Sequence, residues 1–496
     1  MITVIPLIEG CTHMNQNKAT SQFELHPDRL ATTDDRGRRI YLYPADVRGF
    51  FRRRRSQLQA ILVLIFLLLP WIKINGHQAL LLNVSDRHFE IFGLTLKAHH
   101  APLLFFVLAA AAFGLFTVTS IWGRIWCGWG CPQTVFIDGI YRRIERWIEG
   151  SALSRRKLDQ EPLSWRKLRL KTTKWSLYSI ISLIITHSFL AYFVGTENLR
   201  EMVTRPPSEN WTSFLFILFS TGIILFDFAW FREQFCIIVC PYGRFQSILM
   251  DQHSMIVAYD EKRGEPRATP QAKVLAKAHG SQLGDCVNCY RCVQVCPTGI
   301  DIRRGLQMEC IACTSCIDAC DEVMTKVKKP TGLIRYTSQL GLLKQKSKAL
   351  RSRSIIYASI VGLSLIGLAY NLATMKPVDI AILRAKEAPY TIQSLATGDI
   401  IINHLKLELS NQSGSLHQIS IELPKEVSDL GVQIVVAISP FPLPNDMLTR
   451  YDFFVKFPKS TLIHGSLKIK LNVVDEDVIG QQSTTEQKEV TLVGPL

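Results

Sequence analysis

A chain of 496 residues with a net charge of +15, 47% hydrophobic and 20% charged residues has room for two or three domains. A mean hydropathy of +0.13 at that charge content excludes an average globular composition and points to apolar segments interleaved with polar ones. The basic excess invites a nucleic-acid reading, which turns on where the charges sit and not on their sum. In chain order, the apolar stretch Ile2 to Ile8 lacks a basic leader and is short for a signal sequence, so no cleaved targeting peptide is expected; Met14 offers an alternative start. Cys11 stands alone among 13 cysteines, of which 8 fall in one segment and 4 in two matched pairs, with none after Cys320. Such grouping argues for metal or redox chemistry over a disulfide scaffold.

Five segments approach or exceed the roughly 17 to 25 apolar residues needed to cross hydrocarbon. They are Leu58 to Ile74, with Lys73 able to snorkel, Ala101 to Trp122, Trp175 to Val194, Trp211 to Phe231 and Ile355 to Met375. Arg52 to Arg55 precede the first and place the N-terminus inside. The segment Arg142 to Lys174 holds 11 Lys and Arg, whereas Asn75 to His100 and Gly195 to Asn210 hold two each. No acidic residue occurs from Val323 to Val378, and Lys344, Lys346, Lys348, Arg351 and Arg353 lead into the fifth span. All five spans agree on one topology, with 232–354 cytoplasmic and everything after Met375 outside. The basic excess is then a positive-inside signature, and no nucleic-acid partner is expected.

Two motifs lie just past the inner ends of spans two and four: Cys127-Gly-Trp-Gly-Cys131-Pro132 and Cys236-Ile-Ile-Val-Cys240-Pro241. Arg124 precedes one and Arg232 the other, and Phe136 matches Phe245, so the two read as an internal repeat. Helical i, i+4 spacing would put the two thiols of each pair on one face. Four soft sulfur donors there suit Cu(I), a cycling disulfide or electron transfer; the competing reading is small buried cysteines packing between helices. Of the ionisable groups in or beside the spans, Asp227 sits at an inner end, His187 reads as a core histidine, and His99 and His100 border the outer face.

Next come Cys286-Val-Asn-Cys289-Tyr-Arg-Cys292-Val-Gln-Val-Cys296-Pro297 and Cys310-Ile-Ala-Cys313-Thr-Ser-Cys316-Ile-Asp-Ala-Cys320, two C-x2-C-x2-C-x3-C runs. In such pairs three cysteines wrap one 4Fe-4S cluster and the fourth crosses to the other. Cys286, Cys289, Cys292 and Cys320 are therefore assigned to one cluster, and Cys310, Cys313, Cys316 and Cys296 to the second. Zinc would need a longer intervening loop and would not repeat the C-x3-C tail. Asp321 stands after Cys320 where proline is common, which sets an anion near that cluster.

Past the last span, alternation in Ile402 to Leu409, Ile419 to Leu423, Val432 to Ile438, Phe453 to Phe457 and Leu467 to Val473, separated by turn residues, predicts an immunoglobulin-like sandwich. Without cysteine it excludes a disulfide-pinned core or a cysteine-ligated copper site. The predicted architecture is a multi-domain membrane protein with five transmembrane α-helices, a bacterial-type two-cluster ferredoxin domain and a C-terminal immunoglobulin-like β-sandwich. Its parts are 1–57, a cytoplasmic segment; 58–254, four spans with both C-x3-C-P motifs; 255–354, the cytoplasmic ferredoxin and basic linker; 355–375, the fifth span; and 376–496, the periplasmic β-domain.

On Trp126 to Pro132, Phe235 to Phe245 and Gln307 to Cys320 the chain closely resembles the cytochrome c oxidase accessory protein family, the CcoG/FixG/RdxA-type membrane polyferredoxins. The resemblance covers nearly all of the chain after about residue 30. It implies a role in assembling the cbb-type haem-copper oxidase at the bacterial inner membrane by reducing Cu(II) to Cu(I), with Cys127, Cys131, Cys236 and Cys240 handling copper. Partners implied are oxidase subunits, a copper chaperone or copper-transporting ATPase, and a cytoplasmic electron donor. Two other readings are a quinol-linked subunit of a respiratory reductase and a non-catalytic assembly scaffold.

Overall fold

The computed structural model describes residues 39–495 together with Thr32 and Arg36, less 75–76, 85–87, 97–100, 270–271, 273–277, 280–281, 375–377, 386–387, 396–397, 412–415, 445–447 and 478–482. The expectations on Ile2 to Ile8, Cys11, Met14, His99 and His100 lie outside the described residues. The chain divides into two compact units, Met1–Leu368 and Ala369–Leu496.

An apolar helix satisfies its own backbone hydrogen bonds, which is the condition for crossing hydrocarbon. Among the described residues four helices meet that condition by length and composition: Leu103–Trp122, Trp165–Val194, Trp211–Phe231 and Ser352–Ala373. Trp165–Val194 has 44% of its apolar window buried, against 11%, 11% and 6% for the others, so it is the helix on which its neighbours pack. It also begins at Trp165, not Trp175, because Ser164 caps it by accepting the Lys167 N–H at 3.2 Å. Helix Trp211–Leu225 runs into a π-turn, Phe226–Phe231, that stops at Arg232 with φ 53°.

The segment expected as the first span differs. Its helix runs Phe50–Leu68, starting eight residues before Leu58 and taking in Arg52 to Arg55, and a turn at Leu69–Trp71 around Pro70 ends it. Lys73–Ile74 then pairs with His77–Gln78 as a short antiparallel ribbon. It is not one of the four membrane-length helices. The early start has a specific cause: the Asp318 carboxylate accepts the N–H groups of Phe51 at 3.2 Å and Arg52 at 2.7 Å, two of the donors every helix start leaves open.

Further along the same unit, strand Ile256–Tyr259 pairs antiparallel with Ile334–Thr337. Between them helices Arg291–Gln294 and Ser315–Lys326 enclose a core of Val257, Tyr259, Val293, Ile317, Met324 and Leu333. This small two-lobed fold carries the eight clustered cysteines.

The second unit is a two-sheet antiparallel sandwich. One sheet orders Gln433–Val436, Leu448–Pro458, Gly398–Asn411 and Val378–Arg384, with Thr391–Leu395 also on Gly398–Asn411; the other orders Phe441–Leu443, His417–Glu422, Ser466–Asp477 and Ser483–Val493. The period-2 alternation is realised as expected: Leu405, Leu407 and Leu409 face a common core with Ile419, Phe453, Leu471 and Leu492. Four strands lay outside the expected set, and Ser483–Val493 explains why. Of its residues only Val490 and Leu492 enter the core, and the buried Asn403 side chain pins its end by bonding both N–H and C=O of Val493, at 2.8 and 2.7 Å. Phe453→Ala is expected to destabilise this unit by about 3–5 kcal/mol, since the ring is 0% exposed. Calorimetry of the full-length protein checks it against Phe454→Ala on the other face, where the loss is expected to be much smaller.

Candidate iron-sulfur and thiol site

The two cysteine runs fold alike. In Cys286 to Cys292, Asn288 and Tyr290 have φ of 54° and 55°; at the same offsets in Cys310 to Cys316, Ala312 and Thr314 have φ of 51° and 63°. Each such non-glycine residue costs on the order of 1–2 kcal/mol. Four at matched positions mean that the backbone is held to a shape that turns successive thiols, and the amides between them, toward one centre.

Two cavities result. One is lined by Cys286, Cys289, Cys292 and Cys320; the other by Cys296, Cys310, Cys313 and Cys316 together with Cys292. Cys296 and Cys320 thus each sit with the other run, the crossed arrangement that the spacing predicts. Neither cavity is lined by histidine or carboxylate. All-thiol sets of four lining each cavity fit 4Fe-4S clusters. Burial pushes the Cys310 thiol up to about 11 and those of Cys292, Cys296 and Cys320 up to about 12. Cluster binding must therefore displace protons.

The charges beside the two sets differ. Arg303 stacks on the Tyr290 ring at 4.2 Å, pairs with Asp301 at 2.7 Å and acts on Cys292 and Cys286. Asp321, the expected anion, acts on Cys320 while accepting the Gly332 N–H at 2.8 Å.

The C-x3-C-P motifs depart from the helical spacing expected of them. Cys127 lies in the short helix Ile125–Trp129 and Cys236 in the π-turn Phe235–Val239, but Cys131 and Cys240 are extended residues capping the next helices, Pro132–Phe136 and Pro241–Leu249. Proline disfavours a helical residue before it, which breaks each helix at its second cysteine. The break folds the two motifs onto each other. Cys127 and Cys131 each feel Cys240, and Cys236 feels Cys127, Cys131 and Cys240, so the four thiols form one group. Gln246, fully buried, donates from Nε2 to Cys127 Sγ at 3.1 Å. Burial pushes the Cys127 thiol up to about 12 and raises Cys131 and Cys236 as well. The described cysteines form no disulfide.

This thiol group abuts the second cluster set. Arg124, buried just after helix Ala101–Trp122, donates to the carbonyls of Met308 and, at 3.3 Å, Cys310, and from its other nitrogen to Gly243 at 3.3 Å. It acts electrostatically on both Cys127 and Cys310. Gly128 lies so close to the cluster loop that a Cβ there would meet the carbonyl oxygens of Ile311 and Ala312 at 2.5 and 2.8 Å. Both contacts went unread in the sequence; the signal was Gly128, the first of two glycines between Cys127 and Cys131.

A second feature also went unread. Arg55 donates to the Gly128 carbonyl at 2.7 Å, and Asp138 binds Arg52 at 2.5 Å and Arg55 at 2.8 Å. Arg52 and Arg55, read in the sequence as orientation signals, are therefore structural partners. Nearby, buried Glu145 bridges Arg155 at 2.9 Å and Arg232 at 2.6 Å and accepts the Tyr41 hydroxyl at 3.0 Å. Asp227 accepts from Gln133 at 2.9 Å, a bond across 94 residues, and His187 Nδ1 contacts the Leu183 carbonyl at 2.8 Å within its own helix.

Membrane-length helices, a two-run ferredoxin segment and an immunoglobulin-like β-domain together define a membrane polyferredoxin. Three family models agree with that class: residues 103–159 match a 4Fe-4S binding domain, 231–339 a 4Fe-4S dicluster domain, and 368–495 the Ig-like fold at the C-terminus of FixG. The chain is 34% identical to protein RdxA of Cereibacter sphaeroides over 76% of its own length and 80% of that protein. It is 38% identical to nitrogen fixation protein FixG of Rhizobium meliloti, over 61% of this chain and 58% of the relative. The ferredoxin-type protein NapH of Haemophilus influenzae is 27% identical over 56% of this chain and 89% of the relative. The chain belongs to the FixG/RdxA family of membrane iron-sulfur electron-transfer proteins.

Proposed function

We propose that this protein reduces Cu(II) to Cu(I) at the membrane edge for assembly of a cbb-type haem-copper oxidase. Cys286, Cys289, Cys292 and Cys320 are the residues that hold one 4Fe-4S cluster, and Cys296, Cys310, Cys313 and Cys316 the other. Bound there, the two clusters supply one-electron storage between a cytoplasmic reductant and the membrane. Cu(II) takes up one electron per ion, so the stoichiometry needs no two-electron carrier. The observation that carries the reading is the seating of the Cys310 loop on Gly128 and Arg124, which sets the ferredoxin segment directly against the thiols of Cys127, Cys131, Cys236 and Cys240.

In this reading helix Phe50–Leu68 and its turn act as a fifth span. The N-terminus and ferredoxin segment face the cytoplasm, and the β-domain faces the periplasm, where it meets oxidase subunits, a copper chaperone or a copper-transporting ATPase. The arginine and lysine asymmetry of the loops supports that orientation. Likeness to a ferredoxin-type relative favours a second reading, in which quinol replaces the cytoplasmic reductant as donor.

The test is anaerobic incubation of the reduced full-length protein with Cu(II), trapping Cu(I) with a chromogenic chelator. Wild type is expected to form Cu(I). Alanine at Cys127, Cys131, Cys236 and Cys240 together is expected to slow it by at least about tenfold, a barrier change of about 1.4 kcal/mol. No Cu(I) from wild type with reduced clusters would sink the reductase reading and leave the scaffold; full rate in the quadruple variant would reduce those cysteines to packing.

A further inference from the structure

We infer that the arginine-lined cavity between the start of helix Phe50–Leu68 and the loops that flank Cys296 and Cys316 binds a phosphate group, either inorganic phosphate or the headgroup of an anionic phospholipid. The proposal goes beyond the copper reading and does not depend on it. Five arginines line the cavity, Arg52, Arg55, Arg142, Arg146 and Arg155, against two carboxylates, Asp46 and Asp138. The cysteine runs contribute too: Val295 and Pro297 flank Cys296, and Ser315 precedes Cys316.

The cations outnumber their partners. Asp138 alone serves Arg52 at 2.5 Å, Arg55 at 2.8 Å and Arg142 at 3.7 Å, and Asp46 reaches Arg146 at 2.5 Å. Two more carboxylates approach from outside the lining: Glu233 pairs with Arg142 at 2.6 Å and Glu145 with Arg155 at 2.9 Å. Glu145 is shared in turn with Arg232 at 2.6 Å and Lys174 at 4.0 Å. Asp318, three residues past Ser315, is already taken by the amides of Phe51 and Arg52. An excess of buried guanidinium charge is costly unless a further anion joins it.

Unmade hydrogen bonds point the same way. Arg142 and Arg155 are 7% and 4% exposed, and the Nε–H of each is buried without a partner. Buried donors are nearly always bonded, so each of these calls for an acceptor. Ser315 opens helix Ser315–Lys326, whose N-terminus carries no side-chain cap, and a helix start left in that state favours a negative group. The donor type selects the anion. A guanidinium fork presents parallel N–H groups that match two oxygens of one phosphate, which lysine cannot do, and every cation lining this cavity is an arginine. In the proposed orientation the cavity lies at the inner membrane edge, within reach of both lipid headgroups and free phosphate.

The experiment follows thermal denaturation of the full-length holoprotein, purified anaerobically, delipidated and held in neutral detergent without phosphate. Inorganic phosphate is titrated against chloride at matched ionic strength, and phosphatidylglycerol against phosphatidylcholine. Free phosphate as the occupant predicts a saturable rise in Tm with phosphate and none with chloride; a lipid headgroup predicts the rise with phosphatidylglycerol and none with phosphatidylcholine or free phosphate. In either case Arg146→Gln, the most exposed of the five arginines and so the safest to replace, is expected to need about tenfold more of the active probe for half the effect, the loss of about one charge-assisted hydrogen bond. Arg142→Lys keeps the charge but removes Nε and the fork, and is expected to weaken binding in the same direction. Arg166→Gln, exposed and outside the cavity, is expected to respond as wild type does. A response to neither probe, a response that chloride or phosphatidylcholine reproduces, or one unchanged in Arg146→Gln would overturn the inference and leave the arginines as structural ion pairs alone. Should Arg142→Lys not fold, Arg146→Gln decides by itself.

Discussion

Glu145→Gln is expected to destabilise the full-length protein by about 3–5 kcal/mol, the usual cost of removing one partner from a buried ion pair. Glu145 is 1% exposed and its two main partners, Arg155 and Arg232, are 4% and 3% exposed, so solvent cannot take over the neutralisation. Glutamine keeps the shape but strands two buried guanidinium groups. Burial alone would raise the Glu145 carboxyl, but Arg232, then Lys174 and Arg155, outweigh it and hold the group well below the ordinary carboxylate range. The sign of the pH dependence follows. A folded-state value below the unfolded one, which is about 4.3, gives a stabilisation fully present above that pH and lost as pH falls through the depressed value. The gap between wild type and Glu145→Gln in thermal denaturation is therefore expected to be constant from about pH 6 to 7 and to narrow only below about pH 4. A gap that widened on acidification would contradict the assignment.

Gly128→Val is expected to be the most damaging single change near the thiols. Its Cβ would stand 2.5 and 2.8 Å from two backbone carbonyl oxygens, which have no rotamer by which to withdraw. The short helix and the Cys310 loop must separate, breaking the Arg124 bonds on the way. Buried carbonyls left without donors cost about 1–3 kcal/mol each. Cu(I) formation is expected to slow by at least about tenfold and thermal stability to fall by about 2 kcal/mol or more. Gly114→Ala serves as control: nothing lies within 4 Å of a Cβ there, and alanine in a helix interior is neutral to favourable. Equal behaviour of the two variants would show that the docking does not matter.

What was legible in the sequence was whatever local spacing controls. The C-x2-C-x2-C-x3-C runs give the crossed thiol sets because the chain between the cysteines is too short for other wrappings, and apolar runs of membrane length become helices because nothing in them competes. Leu405, Leu407 and Leu409 announce a strand by alternation; Ser483–Val493 does not, because an edge strand with two core contacts has little to alternate. The C-x3-C-P spacing misled, since it promised one helix face while Pro132 and Pro241 break the helix at the second thiol. The Arg124 and Gly128 docking and the Glu145 ion pairs were invisible for a different reason. Each joins residues far apart in the chain, and no single-sequence pattern records which carboxylate an arginine will find.

The Asp318 carboxylate carries a lesson about biosynthesis. The helix it caps begins at Phe50, and the bonds to Phe51 and Arg52 span 267 and 266 residues. At ribosomal rates of about 5–20 residues per second, the first helix waits on the order of 13–50 s for the residue that closes its N-terminus. Over that interval its open amides have only water or lipid headgroups to bond. Asp318 also lies between Cys316 and Cys320 on one helix, Ser315–Lys326, so the last cysteine run to be made is also the part that finally seats the first helix. Completion of the cysteine set and seating of the first helix are in this chain a single late event.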